Sequence, residues 1–138
     1  MNIKLNENER IDDLELNNLK IIQNKKGFCF GIDSVLLSDF AKKIKKNSKV
    51  IDLGTGTAIL PILLSKKTEA KEFIGIEIQE KMAKMAKRSV SLNNSQKKIK
   101  IINDDIKNLN KIFVAGSFDA VITNPPYKKN NTRNEKFK

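Results

Sequence analysis

Val50-Ile51-Asp52-Leu53-Gly54-Thr55-Gly56-Thr57 reads as a short buried strand running straight into a glycine turn. Two glycines one residue apart supply the left-handed backbone and the close approach that a tight strand-to-helix turn demands. Ala58 to Lys67 then carries the apolar spacing of a helix, with Pro61 tolerated because it falls in the first turn. The alternation repeats downstream. Phe73-Ile74-Gly75-Ile76-Glu77 predicts a second strand and Gln79 to Asn93 a second helix, with Met82, Met85, Ala86 and Val90 on one stripe. Lys100 to Asn103 predicts a third strand, Ile106 to Phe113 a short helix, and Ser117 to Thr123 a fourth strand. Strands and helices alternating through short turns predict an α/β fold with a parallel sheet and right-handed crossovers.

Upstream of this unit the pattern is mixed. Leu19 to Gln23 and Phe28-Cys29-Phe30 flank a turn at Asn24 to Gly27, which predicts a hairpin. Asp33 stands where an N-cap belongs, ahead of Val35, Leu36, Leu37, Phe40, Ala41 and Ile44, so an amphipathic helix is expected to end in the lysines before Asn47. The organisation expected is a hairpin and capping helix over 1–48, the sheet over 49–127, and a polar tail over 128–138.

The chain has 138 residues, one domain's worth, and a net charge of +11. Such a charge suits a polyanion such as RNA or DNA, but the lysines are scattered along the sequence, which equally suits a merely solvated surface. The single Cys29 fits a reducing compartment, and without histidine a zinc site is not expected. No signal peptide and no run of about 18 apolar residues is seen, so a cytoplasmic protein away from membranes is expected.

Ligands of doubly wound sheets sit beyond the carboxyl ends of the strands. Here every predicted strand ends in polar residues: Asp52 with Gly54 and Gly56, Glu77, Asp104 with Asp105, and Asn124. An acidic residue placed like Glu77 can accept hydrogen bonds from a ribose diol. Up to this point a nicotinamide dinucleotide and S-adenosylmethionine explain the residues equally. Three features favour the latter. Ile59 replaces the third glycine of a pyrophosphate-binding loop. Asp52 would repel a pyrophosphate but attract a sulfonium or ammonium. Asp105, in preference to Asp104, is placed to accept from an adenine amino group.

Val121-Ile122-Thr123-Asn124-Pro125-Pro126-Tyr127 is the other distinctive stretch. Consecutive prolines fix φ near −65° and hold the preceding residue extended, giving a rigid shelf with an amide, spare carbonyls and a ring.

In this order, Asp52-Leu53-Gly54-Thr55-Gly56, Gly75-Ile76-Glu77-Ile78, Asp104-Asp105-Ile106 and Asn124-Pro125-Pro126-Tyr127 resemble the motifs of Rossmann-type S-adenosylmethionine-dependent methyltransferases. Asn-Pro-Pro-Tyr resembles the branch that methylates adenine N6 or a protein glutamine amide. The segment from Gln23 through Gly27-Phe28-Cys29-Phe30-Gly31-Ile32-Asp33 to Leu37 resembles the bacterial tRNA(Val) adenine-N6 methyltransferases. The resemblance implies that Asp52, Gly54, Thr55, Gly56, Glu77, Ile78, Asp105 and Ile106 hold S-adenosylmethionine, that Phe30 and Asp33 close over it, and that Asn124 borders it. It implies that Asn124 and Pro125 accept hydrogen bonds from the target amino group, with Pro126 stiffening the shelf and Tyr127 stacking on a flipped adenine.

That fold has seven strands, and the chain reads as the first four. A fragment is therefore expected, with the fourth strand an apolar edge that could support a dimer if the chain is truly this short. The rival readings are a release-factor glutamine-N5 methyltransferase and a non-catalytic cofactor- or RNA-binding fragment.

Overall fold

The computed structural model describes residues 3–26 and 32–123, with Ile32 and Asp33 as backbone. Its centre is a four-stranded parallel sheet built from β3 (Lys49–Leu53), β4 (Glu72–Glu77), β5 (Ile99–Asn103) and β6 (Ala120–Thr123), in the order β5-β4-β3-β6. β3 pairs with both β4 and β6, with Asp52 opposite Gly75 on one side and Ile122 on the other. The chain steps outward from β3 to β5 and then returns to β6 on β3's other flank. That reversal places a switch point at the carboxyl ends of β3 and β6, where a crevice forms in such sheets.

The connecting helices are α2 (Ile59–Lys67) and α3 (Glu80–Leu92). One sheet face is covered by Ile62, Leu63, Ala83, Ala86 and Val90 of these helices packing on Val50, Phe73 and Ile99. Met85 is buried as the helical stripe predicts, and Met82 is half-buried. The opposite face, with Ile51, Ile74 and Ile76, is covered by Leu109, Phe113 and Phe118. These come from a 3-10 turn (Ile106–Asn108), the short helix α4 (Leu109–Ile112) and the loop after it. Phe113 and Phe118 meet edge to face at 4.9 Å. β6 is an edge of the described sheet, and Val121 on it is 62% exposed. An apolar cavity of about 480 Å³ opens beside it, between Ile51, Phe113, Phe118 and Val121.

The N-terminal region adds one strand and corrects one expectation. The segment at 19–23 has a partner upstream: β1 (Glu9–Asp13) pairs antiparallel with β2 (Lys20–Asn24), Ile11 opposite Ile22. β1 carries one apolar side chain, Ile11, and it is exposed, so the strand has no hydrophobic alternation to read. It is held instead by pairing to β2, whose Ile21, Ile22 and Gln23 are buried. Asn17 and Asn18 take positive φ in the link, a conformation asparagine tolerates. The expected partner Phe28-Cys29-Phe30 lies outside the described residues.

The corrected expectation is that for α1 (Ile32–Ala41). It begins before Asp33, which therefore occupies a helical position and not the N-cap, and it stops at Ala41, short of the lysines. The chain must turn there to enter β3. Ile44 N–H bonds to the Ala41 carbonyl at 3.0 Å, and Asn47, at φ 64°, donates to the Glu69 carbonyl.

Candidate functional site

At the carboxyl edge of the sheet, the turn after β3 is built by its two glycines. Gly54 and Gly56 sit at φ 71° and 59°, and no heavy atom lies within 4 Å of where a Cβ would stand on either. The space beside both is open. Ala58, at φ 70°, ends the turn and starts α2. Thr55 is buried; its N–H donates to the Ile76 carbonyl at 2.9 Å, fastening the turn onto β4.

Gly75 permits that contact. A Cβ there would come within 2.8 Å of the Thr55 side chain, closer than real Cβ contacts allow. The glycine of the predicted second strand is thus a packing requirement, a role the sequence left unassigned.

Asp52 points into the same cluster and is 1% exposed. The Thr55 hydroxyl donates to its Oδ2 at 2.7 Å, while among the described residues its Oδ1 has no hydrogen-bond partner. Burial pushes the Asp52 carboxyl up to about 7; the Thr55 hydroxyl opposes the rise, and the nearby Glu77 charge adds to it. An unpartnered buried acceptor is rare and marks a place where a donor or cation can be received.

Glu77, 7% exposed, ends β4 and ties two turns together. Gly56 N–H donates to Oε1 at 2.9 Å and Gln79 N–H donates to Oε2 at 3.0 Å. A carboxylate has about four acceptor positions, so both oxygens retain capacity for a ligand. Ile78, next in the chain, is 62% exposed.

At the end of β5, Asn103 donates its side-chain amide to the carbonyls of Glu77 and Ile78, at 2.8 and 3.0 Å. Sequence reasoning ended the strand at Asn103 without giving it this role. Asp105 caps the 3-10 turn through Oδ1, which accepts from Lys107 N–H at 2.9 Å. Asp104 Oδ1 accepts from the Asn108 side-chain amide and from Asp105 N–H, and these bonds hold its carboxyl below the usual range. Ile106 is 47% exposed.

The fold therefore brings Asp52, Gly54, Thr55, Gly56, Glu77, Ile78, Asp105 and Ile106 to one edge of the sheet. β6 delivers the chain to the same edge: Thr123, its last residue, donates its hydroxyl to the Leu53 carbonyl at 3.0 Å. Asn124, Pro125, Pro126, Tyr127 and Phe30 lie outside the described residues, as does the side chain of Asp33. Among the described residues no cluster of acidic or sulfur ligands could hold a metal ion, and no helix is long and apolar enough to cross a membrane.

Comparison with known proteins gives a concordant result. The family model for the methyltransferase small domain matches residues 17–137. A tRNA1(Val) (adenine(37)-N6)-methyltransferase of Tolumonas auensis is 29% identical over 108 residues, covering 78% of this chain and 44% of the relative. A Methanocaldococcus jannaschii protein provisionally named a protein N5-glutamine methyltransferase is 31% identical over 114 residues, covering 83% of this chain and 54% of the relative. Among solved structures, Trm5 of that archaeon in complex with adenosine superposes with a TM-score of 0.68 at 19% identity, covering 96% of this chain and 40% of its own. The Pyrococcus abyssi tRNA (uracil-54, C5)-methyltransferase in complex with S-adenosyl-L-homocysteine gives 0.64 at 19% identity, covering 88% of this chain and 29% of its own. The chain spans about half the length of the curated relatives it matches. The fold is a partial Rossmann-like methyltransferase fold, and the chain belongs to the methyltransferase small domain family of S-adenosylmethionine-dependent enzymes.

Proposed function

We propose that this chain forms the cofactor-binding part of an N-methyltransferase that modifies adenine N6 in tRNA. The observation that carries the cofactor assignment is the pairing of an orphaned, buried Asp52 oxygen with an open glycine turn. The residues present fit S-adenosylmethionine. Asp52 offers charge to a cationic group. The spare lone pairs of Glu77 suit a ribose diol. The exposed aliphatic chains of Ile78 and Ile106 offer apolar surface to a purine. Asp105 offers an acceptor to the purine's amino group. When bound, the cofactor supplies an electrophilic methyl group on a sulfonium.

The chain's own task is then orientation. The Asn124 carboxamide oxygen and the Pro125 carbonyl accept hydrogen bonds from the acceptor's amino group, which aims its lone pair and supports the positive charge developing on nitrogen. Tyr127 gives the acceptor ring a stacking surface. The domain boundaries we assign are those read from the sequence: 1–48, 49–127 and 128–138.

The choice of adenine in tRNA rests on the names of the curated relatives and on the segment from Gln23 to Leu37. A second reading, methylation of a glutamine amide in a protein, is favoured by the Methanocaldococcus jannaschii relative, whose identity is 31%. Incubation with labelled S-adenosylmethionine and either unmodified tRNA or a release factor separates the two. Label in tRNA adenine supports the first reading, and label only in protein replaces it with the second.

A further inference from the structure

The lysines that look scattered in the sequence are gathered by the fold. In a parallel α/β sheet every helix runs back to the strands' amino ends, so the connections entering β3, β4 and β5 lie together at the edge opposite the candidate site. The first, 42–48, holds Lys42, Lys43, Lys45 and Lys46. The end of α2 with its loop, 66–71, holds Lys66, Lys67 and Lys71. The loop 93–98 holds Lys97 and Lys98. Within these three segments one acid, Glu69, stands against the nine lysines, so nineteen residues carry +8 of a chain total of +11, and the loop entering β6 adds one more acid to the edge, Asp119. At the carboxyl edge the turns at 54–58, 78–80 and 104–105 contain no lysine and three acids, Glu80, Asp104 and Asp105. Among the described residues, these turns are basic at the strands' amino ends and acidic at their carboxyl ends.

The basic edge is also fixed in shape. Asn47 N–H bonds to the Glu69 carbonyl at 2.9 Å, Lys71 N–H to the Ser48 carbonyl at 2.7 Å, and Phe73 N–H to the Lys98 carbonyl at 2.8 Å. Lys67 and Lys98 are engaged internally, by Asp39 and by the Ser65 carbonyl. The other seven are exposed, and none forms an ion pair with a described residue. Beside them, a polar cavity of about 560 Å³ lies between Lys43, Lys45, Lys46, Asn47, Ser48 and Asp119.

We propose that this edge is a docking surface for the phosphate backbone of the RNA substrate, separate from the site of methyl transfer. The choice of RNA rests on the reading given under Proposed function. The chemistry on the page favours it over a lipid surface: the three segments contain no aromatic residue, and their apolar residues, Ile44 and Ala70, are half-buried and buried. Nothing there could insert between acyl chains. Lysine ammonium groups act as point charges, without the planar fork that reads a base edge, so the contact is to phosphate and independent of sequence. Strands of this length, at about 3.3 Å per residue, separate the two edges by roughly 17 Å. An RNA that engages both must therefore extend well beyond the modified nucleotide.

The test is tRNA binding by the full chain, followed by fluorescence anisotropy between 50 and 200 mM salt. Replacing Lys43, Lys45 and Lys46 together by Gln is expected to weaken binding at least about tenfold and to lower the salt slope by about two to three. The same charge change on the outer face of α3, at Lys81, Lys84 and Lys87, is expected to cost less. Equal losses for the two triple variants, or no loss for the first, would overturn the proposal. So would binding to phosphatidylglycerol vesicles in place of tRNA. The unsubstituted chain gives an independent reading: a salt slope near zero refutes a phosphate surface whatever the variants do. Calorimetry with S-adenosylmethionine checks that the variants keep their fold. Binding needs no catalysis, so tRNA that binds through this edge but gains no methyl group defeats only the proposed reaction.

Discussion

Gly56 donates its backbone N–H to Oε1 of Glu77 at 2.9 Å, which makes the turn after β3 and the end of β4 a single unit. Because Gln79 N–H occupies Oε2, the carboxylate is held by two backbone donors before any ligand arrives. Glu77→Gln turns one acceptor into a donor that faces an N–H. A stability loss of about 1–3 kcal/mol is expected, read as a lower urea midpoint, with cofactor affinity falling at least about tenfold by calorimetry. An unchanged midpoint would show that the bridge does not hold the turn.

Gly75 and Thr55 set a tighter constraint. Gly75→Ala places a methyl 2.8 Å from a buried threonine fastened on both sides, so the glycine turn must lift from β4. Overpacking of this kind costs about 1–3 kcal/mol, and here it also displaces the site. Gly75→Ala is expected to lower both the urea midpoint and cofactor affinity. Adding Thr55→Gly to Gly75→Ala removes the clash and should recover part of the stability. No recovery in the double variant would locate the strain elsewhere.

Asp52 gives the fold a defined pH response. Its carboxyl titrates near 3.8 when unfolded and at about 7 in the fold, because burial disfavours the charge. Between those values the folded state holds a proton that the unfolded state has released. This group's contribution therefore falls as pH rises from about 4 to about 7 and is constant above. Asp52→Asn removes that slope and should be more stable than the parent at pH 7.5, by about 1–4 kcal/mol. A cation beside Asp52 would favour its ionised form, so cofactor affinity should rise from pH 6 to 7.5 in the parent but not in the variant. Denaturation and calorimetry at each pH check both statements, and parallel pH profiles would contradict them.

What the sequence revealed follows from where its signals come from. Parallel strands such as Val50 to Leu53 are runs of mostly apolar residues that stop at polar ones, so β3, β4 and β5 were legible within a residue or two. The order of polar strand ends was legible for the same reason, and among the described residues Asp52, Glu77 and Asp105 do share an edge. β1 was not, because a strand held by backbone pairing to one neighbour needs no apolar alternation. The capping place of Asp33 failed because the helix starts before it. The roles of Gly75, Asn103 and Thr123 depend on which strands are neighbours. That information exists only once the order β5-β4-β3-β6 is known.

β2 is tied to α3 through Ser89 and to Asn93 at the helix's end, and one charged pair ties β1 to the same helix. Arg88 donates to both carboxylate oxygens of Glu9, at 2.6 and 2.7 Å, and to the Lys4 carbonyl at 3.1 Å. The Glu9 side chain is 6% exposed, and its bond with Arg88 holds its carboxyl below the ordinary value. Its stabilising contribution is thus present above about pH 4.5 and is lost as pH falls through the folded value. Arg88→Ala leaves that carboxylate enclosed with the Asn6 N–H, at 2.8 Å from Oε1, and no cation beside it, and a loss of about 1–3 kcal/mol is expected at pH 7, shrinking towards pH 3. Thermal unfolding at both pH values tests this, and a loss independent of pH would assign the effect to packing alone.

Thr123 is fixed to the Leu53 carbonyl, immediately before the glycine turn, so the last described residue lies beside the proposed cofactor site. If the Asn124 carboxamide orients the acceptor's amino group, its work is confined to the reaction. Removing the interaction should lower kcat without loosening the cofactor. Asn124→Ala in the longest active form of the protein is expected to reduce methyl transfer at least about a hundredfold while cofactor affinity stays within about twofold. Asn124→Asp keeps an acceptor oxygen and should retain more activity than Asn124→Ala. A variant that turns over normally would remove Asn124 from the reaction. One that loses cofactor binding in step with activity would place it in the cofactor site instead.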